Sequence, residues 1–279
     1  MKIPILCPLW GHEHLPLKFF LDRILDAGYD GIDTWIPKLK AEQRILNSYL
    51  EKYNLFYVAH QHQAEGSTFQ KFRSSFSKNL LACIDFKPIL INSHTGRDYF
   101  SKSQNLILIE DSLEFSAKHN VKVCHETHRG RFGYSPMVMQ EYLLKNKDFE
   151  LTADFSHWVC VTESMLEHFS RPLNQAIKRS RCIHARFGFQ QGPQIGDPGD
   201  PQWADVIQIF LIWWDKIVEV NEKLATAVLP ITTEFGPPPY MPKISFTHSP
   251  LYNQFQQNCF VKELLKNRYQ RYMISTERR

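Results

Sequence analysis

Eight short segments rich in apolar and β-branched residues, helical-period stretches between them, and the lack of a glycine-rich phosphate fingerprint after the first segment together predict a single-domain (β/α)8 TIM barrel. In chain order the segments are IPILCPLW (3–10), YDGIDTWI (29–36), LFYVAHQ (55–61), PILINSHT (88–95), VKVCHETH (121–128), FELTADFSHW (149–158), RCIHARFGF (181–189) and AVLPITTEFG (227–236). Between them LKFFLDRILDAG, AEQRILNSYLEKYN, NLILIEDSLEFSAKHN and SMLEHFSRPLNQAIKRS return apolar residues at helical spacing. Repeated strand–helix units imply parallel strands joined by right-handed crossovers, and eight of them in 279 residues suit a closed barrel better than an open sheet. An open doubly wound sheet would carry GxGxxG after its first strand, where this chain reads LWGHEHLP.

The same segments order what surrounds the barrel. Trp10, closing the first, reads as core or pocket wall, and Asp33 and Trp35, closing the second, as residues that cap neighbouring backbone at the rim. The longest irregular stretch, GFQQGPQIGDPGDPQW (188–203), follows the seventh segment and is placed over the mouth. FGPPPYMPKISFTHSP (235–250) follows the eighth, and its prolines suit a loop that wraps the rim. A last helix over about 248–272 packs on the barrel, with Tyr252, Phe255 and Tyr269 covering its outside or meeting a second subunit. No linker or shift of composition marks a second domain, so residues 1–279 are read as one.

A domain of this length buries about three quarters of its unfolded surface, enough for a large core. Hydrophobic content of 43% and charge of 22% are those of a globular chain, and the apolar run VIQIFLIWW is too short to cross a bilayer. Pro4, Pro8 and Trp10 interrupt the opening MKIPILCPLWGHEH before a signal-peptide core forms, so a cytoplasmic location is expected. Cys7, Cys83, Cys124, Cys160, Cys182 and Cys259 are scattered without a CxxC pair, which excludes a zinc ribbon or redox motif and reads as reduced core thiols. A net charge of +4 spread along the chain gives no nucleic-acid groove, and the basic KELLKNRYQRYMISTERR reads as a solvated helix face with a frayed end.

Polar residues gather at the C-terminal ends of the segments. Alternate side chains of a barrel strand point inward, and chemistry collects where the strands end. On this parity Glu126 goes inward with Cys124 and His128, Asp154 with Thr152, His184 with Cys182 and Arg186, Glu234 with Thr232, Asn92 with His94, and His60 with Val58. Any one of the acids serves equally well as a rim salt bridge. Glu126, Asp154, His184 and Glu234, however, come from four successive strands, and three carboxylates and an imidazole converging in a small barrel repel one another unless a cation joins them. One divalent metal ion is therefore expected, and the donors suit Mn, Zn, Co or Mg. VKVCHETHRGRFGY (121–134) is no zincin helix, because His125 and His128 are three apart on a strand; His125 by parity faces the helices as a buried structural residue. His60, His62 and His94 suit packing as well as substrate contact, and Arg97, Arg129 and Arg131 suit solvation as well as a phosphate or carboxylate.

GYDGID in the second segment, HETHRGR in the fifth, DFSH in the sixth, HAR with GPQIGDP in and after the seventh, and TEFG in the eighth together resemble the xylose isomerase-like TIM-barrel superfamily, with sugar epimerases and isomerases as the nearest group. The resemblance implies that, as in the ketose 3-epimerases, the metal is held by Glu126, Asp154, His184 and Glu234, and that the two glutamates are catalytic, exchanging protons with the substrate. It implies further that His157 and Arg186 hold substrate oxygens. His94, His60 and His128 complete the expected substrate-binding set, while His128, Arg129, Arg131 and GPQIGDP lack a counterpart in that group.

The expected chemistry is abstraction of a proton from a carbon beside a carbonyl. A metal on the carbonyl and hydroxyl oxygens offsets the charge of the enediolate intermediate. With Glu126 and Glu234 on opposite faces of a sugar, one removes the proton and the other returns it, inverting the centre; return to the adjacent carbon interconverts aldose and ketose. Two other readings belong to other classes. A phosphodiesterase of the endonuclease IV type would draw on His60, His94 and His157 as well, but its Asp-x-His pair after strand seven is missing, since Asp197 is followed by Pro198 and Gly199. A barrel that only binds a sugar has no need of two glutamates on opposite walls. The expected partner is a small sugar or polyol, not nucleic acid or membrane, with a homo-oligomer left open.

Overall fold

The structure, a computed structural model, describes residues 1–273. Eight parallel strands close into a barrel in the order of the chain: β1 (Ile5–Pro8), β2 (Gly31–Thr34), β3 (Phe56–Gln61), β4 (Leu90–Ser93), β5 (Val123–Glu126), β6 (Glu150–Ala153), β7 (Ser180–Ala185) and β8 (Ile231–Thr233). Around them run α1 (Leu17–Asp26), α2 (Lys40–Lys52), α3 (Phe69–Cys83), α4 (Lys102–His119), α5 (Pro136–Lys145), α6 (Ser156–Thr162), α7 (Ser170–Arg179), α8 (Ala204–Lys223) and α9 (Gln254–Arg268). The predicted TIM barrel is the observed one, and each of the eight segments contains a strand. Helix starts follow polar caps: Thr68 before α3, Ser101 with Gln104 in reciprocal bonds before α4, and Ser135 ahead of Pro136 before α5.

The strands are shorter than the segments, and the sixth differs most. Thr127 Oγ1 donates to Asp154 O and accepts from Asp154 N, both at 2.9 Å, and Asp154 Oδ1 accepts from Ser156 N at 3.1 Å. These bonds turn the chain out of β6 into α6, so His157 and Trp158 stand on a helix and not on a strand.

Inside the barrel Leu6, Val58, Leu90, Cys124 and Cys182 form a small apolar floor. Two residues further along their strands the inward positions are Pro8, His60, Asn92, Glu126 and His184, so the polar tier lies directly above the floor. In β2 the floor position is Gly31, where a Cβ would lie 2.0 Å from Phe56 O and 2.8 Å from Leu6 Cδ2; only glycine fits, and Asp33 above it also faces inward. Outward residues such as Ile5, Ile32, Ile91, Leu151, Ile183 and Ile231 pack with the helices into the main core. His125 faces the helices as its parity predicts: Nδ1 meets Thr95 Oγ1 at 2.6 Å, Nε2 meets Ser112 Oγ at 3.2 Å, and burial pushes its pKa down to about 3. The six cysteines are all free thiols.

The 188–203 stretch is fastened by its own backbone bonds and by a clamp on the loop after β8. Phe189 and Gly192 exchange backbone bonds of 2.8 and 3.0 Å, and the buried Ile195 donates to Phe187 O at 2.9 Å. Gln194 clamps Gly236, accepting from its N–H at 2.6 Å and donating to its carbonyl at 3.2 Å. The terminal helix begins at Gln254, later than the expected 248, where Asn253 accepts from Gln256 N at 3.1 Å. Phe255 and Tyr269 are buried, with Arg23 over the Phe255 ring at 3.7 Å, so they cover this chain's own barrel. Residues 274–279, the expected frayed end, lie outside the described residues. Among the described residues no helix is long and apolar enough to cross a membrane.

On α9, Asn258 pairs with both backbone groups of Phe235, accepting from N at 2.8 Å and donating to O at 3.0 Å. That pair fixes the chain one residue after Glu234. Asn258→Ala leaves a buried donor and a buried acceptor unpaired, each costing about 1–3 kcal/mol. Urea titration is expected to show a loss of about 2–5 kcal/mol, and a loss below about 0.5 kcal/mol would show that the pair is replaceable.

Candidate functional site

A cavity of about 540 Å³ opens at the C-terminal ends of the strands. Its floor is the polar tier of Asp33, Glu126, His184, Thr232 and Glu234; Trp10, Trp35 and Tyr240 form apolar walls, and His60, His62, His94, His128 and Arg131 line the remainder. Gly236 lets Trp10 close over the floor, since a Cβ there would lie 2.4 Å from its ring.

Glu126 is at the centre. Its Oε2 accepts from Asn92 Nδ2 at 2.6 Å, meets His94 Nε2 at 3.0 Å and lies 3.4 Å from His184 Nδ1 and 3.9 Å from His60 Nε2. Burial opposes its charge, yet His94 and His184 outweigh burial and hold the carboxyl well below the usual range. Arg131 Nη2 donates to His94 Nδ1 at 3.3 Å, which leaves the proton of that ring on Nε2, pointing at Glu126.

His184 is held in the opposite sense. Its Nε2 meets Asp33 Oδ2 at 3.1 Å, and Thr232 Oγ1 donates to the same oxygen at 2.9 Å. Burial raises Asp33, but hydrogen bonds with His184 and His60 prevail and keep it an anion. With Nε2–H on Asp33, His184 turns Nδ1 toward Glu234 Oε2 at 2.7 Å, a nitrogen that holds a proton against the carboxylate and, once that proton is displaced, has a lone pair for a cation. The other acids meet Arg186, whose Nε donates to Asp154 Oδ2 at 3.1 Å and whose Nη2 lies 3.0 Å from Glu234 Oε1. Its guanidinium is 4.5 Å from the Tyr240 ring and 5.1 Å from that of Trp10. His157 is fully buried beside Asp154 at 3.5 Å, its ring 3.9 Å from that of His128, and it does not line the cavity.

Several atoms of this cluster are buried without a hydrogen-bond partner, among them Glu126 Oε1, His184 Nδ1, Glu234 Oε2, Asp33 Oδ1 and Arg186 Nη1. A buried carboxylate oxygen left so costs free energy, and Glu126 and Glu234 each bring a carboxylate to His184 Nδ1, at 3.4 and 2.7 Å, which makes this a place for positive charge. One donor atom each of Glu126, Asp154 and His184 also lie within 4.8 Å of one another. The residues present therefore fit a divalent metal ion. Burial pushes the Asp154 carboxyl up to about 7 against the pull of Arg186, with Glu234 and Glu126 reinforcing the rise. Burial disfavours the charged form of His184, but Glu234 and Glu126 overcome it and hold its pKa well above the ordinary value.

In other histidines burial is the largest cause and sets the sign. His12, His62 and His128 are lowered to about 4, and His94 and His157 fall well below the ordinary value, as does His125. Each binds a proton in the unfolded chain near pH 6.5 that the folded chain refuses, so stability is lost as pH falls below that value. Asp154 and His184 act in the opposite direction, but they are two against six. Metal-free protein is expected to lose at least about 2 kcal/mol between pH 7.5 and 5. Urea midpoints at the two values check this; an unchanged midpoint contradicts it.

The structure brings Glu126, Asp154, His184, Glu234, Arg186, His94 and His60 into one cluster, places His128 on the cavity wall, and sets His157 behind Asp154. Asn92 is there as its parity predicts, while Asp33, expected as a rim cap, and Tyr240 join without having been expected there. Asp33 was detectable from its parity with Gly31, whereas Tyr240 comes from the proline-rich loop, whose path no periodicity reveals.

No family model matches the chain, and no curated protein matches it in sequence. Solved structures do match it in shape. A D-tagatose 3-epimerase-like protein is similar at a TM-score of 0.64 and 12% identity, over 98% of each chain. The 3-keto-D-glucoside 4-epimerase from E. coli is similar at 0.62 and 11% identity, over 95% of this chain and 100% of that one. Endonuclease IV from Thermus thermophilus is similar at 0.57 and 12% identity, over 96% and 100%. At such identities the likeness is one of fold: the chain is a (β/α)8 barrel, as those proteins are.

Proposed function

We propose that this protein is a divalent-metal-dependent sugar isomerase or epimerase that moves a proton beside a carbonyl. The observation that carries this reading is the convergence of donor atoms of Glu126, Asp154 and His184 within 4.8 Å of one another at the foot of the cavity, with unpartnered buried oxygens on Glu126 and Glu234 beside them. Glu126, Asp154, His184 and Glu234 are the residues that would hold the metal. A divalent cation bound there supplies positive charge that offsets the enediolate formed as the proton leaves. Glu126, kept ionised by His94 and His184, is equipped to accept a proton. Glu234, three strands away, is placed to return one, and Arg186 orients it through Nη2 at 3.0 Å. Trp10 and Tyr240 offer apolar walls to the C–H face of a sugar.

The test is solvent exchange. Protein loaded with Mn²⁺ and incubated in deuterated water with ketoses, aldoses and cyclic polyols is expected to place deuterium beside a carbonyl, with about one tightly held metal per chain. Absence of both metal retention and exchange defeats the reading. A second reading, metal-dependent phosphodiester cleavage, is favoured by the donor atoms of His60, His94 and Glu126, which also lie within 4.8 Å of one another. Against it, Arg131 fixes the His94 proton on the nitrogen facing Glu126, where a further ion would need a lone pair. Nicking of abasic DNA by the metal-loaded protein would reverse that ranking.

A further inference from the structure

The wall formed by the loops after β3 and β5 holds polar groups that acid–base chemistry at the floor does not use. Arg131 lines the cavity, and its Nε is buried without a hydrogen-bond partner. Its Nη2 donates to a neutral ring, His94, at 3.3 Å. Arg186, across the cavity, is neutralised by Asp154 at 3.1 Å and Glu234 at 3.0 Å; among the described residues Arg131 has no such ion pair. Glu126 is reached only through His94, and its Oε2 already takes Asn92 and His94. On the same wall His62 Nδ1 is buried without a partner, its ring 6.2 Å from that of His94; Lys38, from the adjoining loop after β2, lines the same cavity. Arg131 is half-buried, and a guanidinium Nε that is buried and unpaired is costly, while the planar fork of the group matches two anionic oxygens.

We propose that the substrate is an anionic sugar, whose carboxylate or phosphate is held by Arg131 with His62 and Lys38 beside it, while its carbonyl end reaches Glu126 and Glu234. This rests on the isomerase reading and deepens it. The charged group lies toward the β3–β5 side and the reacting carbon over the floor, so the two ends of the molecule are recognised by different walls. A cavity of about 540 Å³ is in the range that encloses a ligand of this size.

The test has a binding arm and an exchange arm, both on metal-loaded full-length protein. Inorganic phosphate and acetate are titrated separately by calorimetry into the native protein and into Arg131→Lys and Arg131→Ala. Deuterium incorporation is then compared for matched sets: a neutral sugar, its uronic acid and its terminal phosphate. The expected result is at least about tenfold preference for one charged member over the neutral one, with the uronate and phosphate arms telling the two anions apart. That preference should collapse toward unity in Arg131→Ala and be only partly kept in Arg131→Lys, which retains the charge but not the fork. A general structural defect would lower exchange of all three alike and leave the ratio intact. Equal or better exchange of the neutral sugar, or an unchanged ratio in Arg131→Ala, overturns the proposal while leaving the isomerase reading standing. Phosphate or acetate binding that depends on Arg131, without exchange of any sugar, keeps the anion site and defeats the isomerase reading instead.

Discussion

Glu126→Gln is expected to give a folded protein whose exchange of substrate protons is slower by about 10²–10⁴-fold, the range that a positioned acid or base contributes. The reason is in the two oxygens. Asn92 and His94 both donate to Oε2, at 2.6 and 3.0 Å, so a glutamine must turn its oxygen toward them and its amide nitrogen to the place of Oε1. That nitrogen accepts no proton and has no free pair for a cation. Glu234→Gln acts in the same way, because Arg186 holds Oε1 and leaves the amide nitrogen against His184. If the two carboxylates serve opposite faces of the sugar, each single variant blocks exchange from one epimer and spares the other, which isotope wash-in from each epimer distinguishes. Full exchange by Glu126→Gln from both epimers would exclude it as a base.

The second large effect is expected from a residue that touches no proton of the substrate. Asp33→Asn should lower metal affinity about 10–100-fold with little change in the folded state. Asp33 fixes the His184 proton on Nε2 through the 3.1 Å contact and is itself oriented by Thr232 at 2.9 Å. An asparagine can present its NH₂ to Nε2, which shifts the proton to Nδ1 and removes the lone pair facing Glu234. Competition against a chelator, with far-UV circular dichroism as the control for folding, measures the change. Equal affinity in the native protein and the variant would mean that His184 keeps its tautomer without help.

Much of this was legible in the chain itself. Eight hydrophobic segments with helical patterns between them specify a barrel because period 2 and period 3.6 exclude each other locally, and strand parity carries Glu126, His184 and their floor residues Cys124 and Cys182 to the inside. The parts that were not legible depend on contacts made across the barrel. Asp154 lies inside, but Thr127 and Ser156 bend the chain there, so parity counted past Ala153 no longer describes a strand and His157 falls behind the acid. The family resemblance gives Arg186 to the substrate; its partners in the structure, Asp154 and Glu234, come from the strands on either side, a relation set by barrel stagger that the order of residues does not express. The register of Arg131 against His94 depends likewise on a loop conformation, here one that turns through Gly130 at φ +74°.

The clamp of Gln194 on Gly236 also has a bearing on what enters. It ties the loop after β7 to the loop after β8, and Asn258 pins the latter from behind at Phe235. On that half of the rim the portal is a rigid frame rather than a hinged door. Trp10 and Tyr240, packed edge to face with ring centroids 5.0 Å apart, form one continuous side of that frame, so a ligand meets a fixed aromatic outline there.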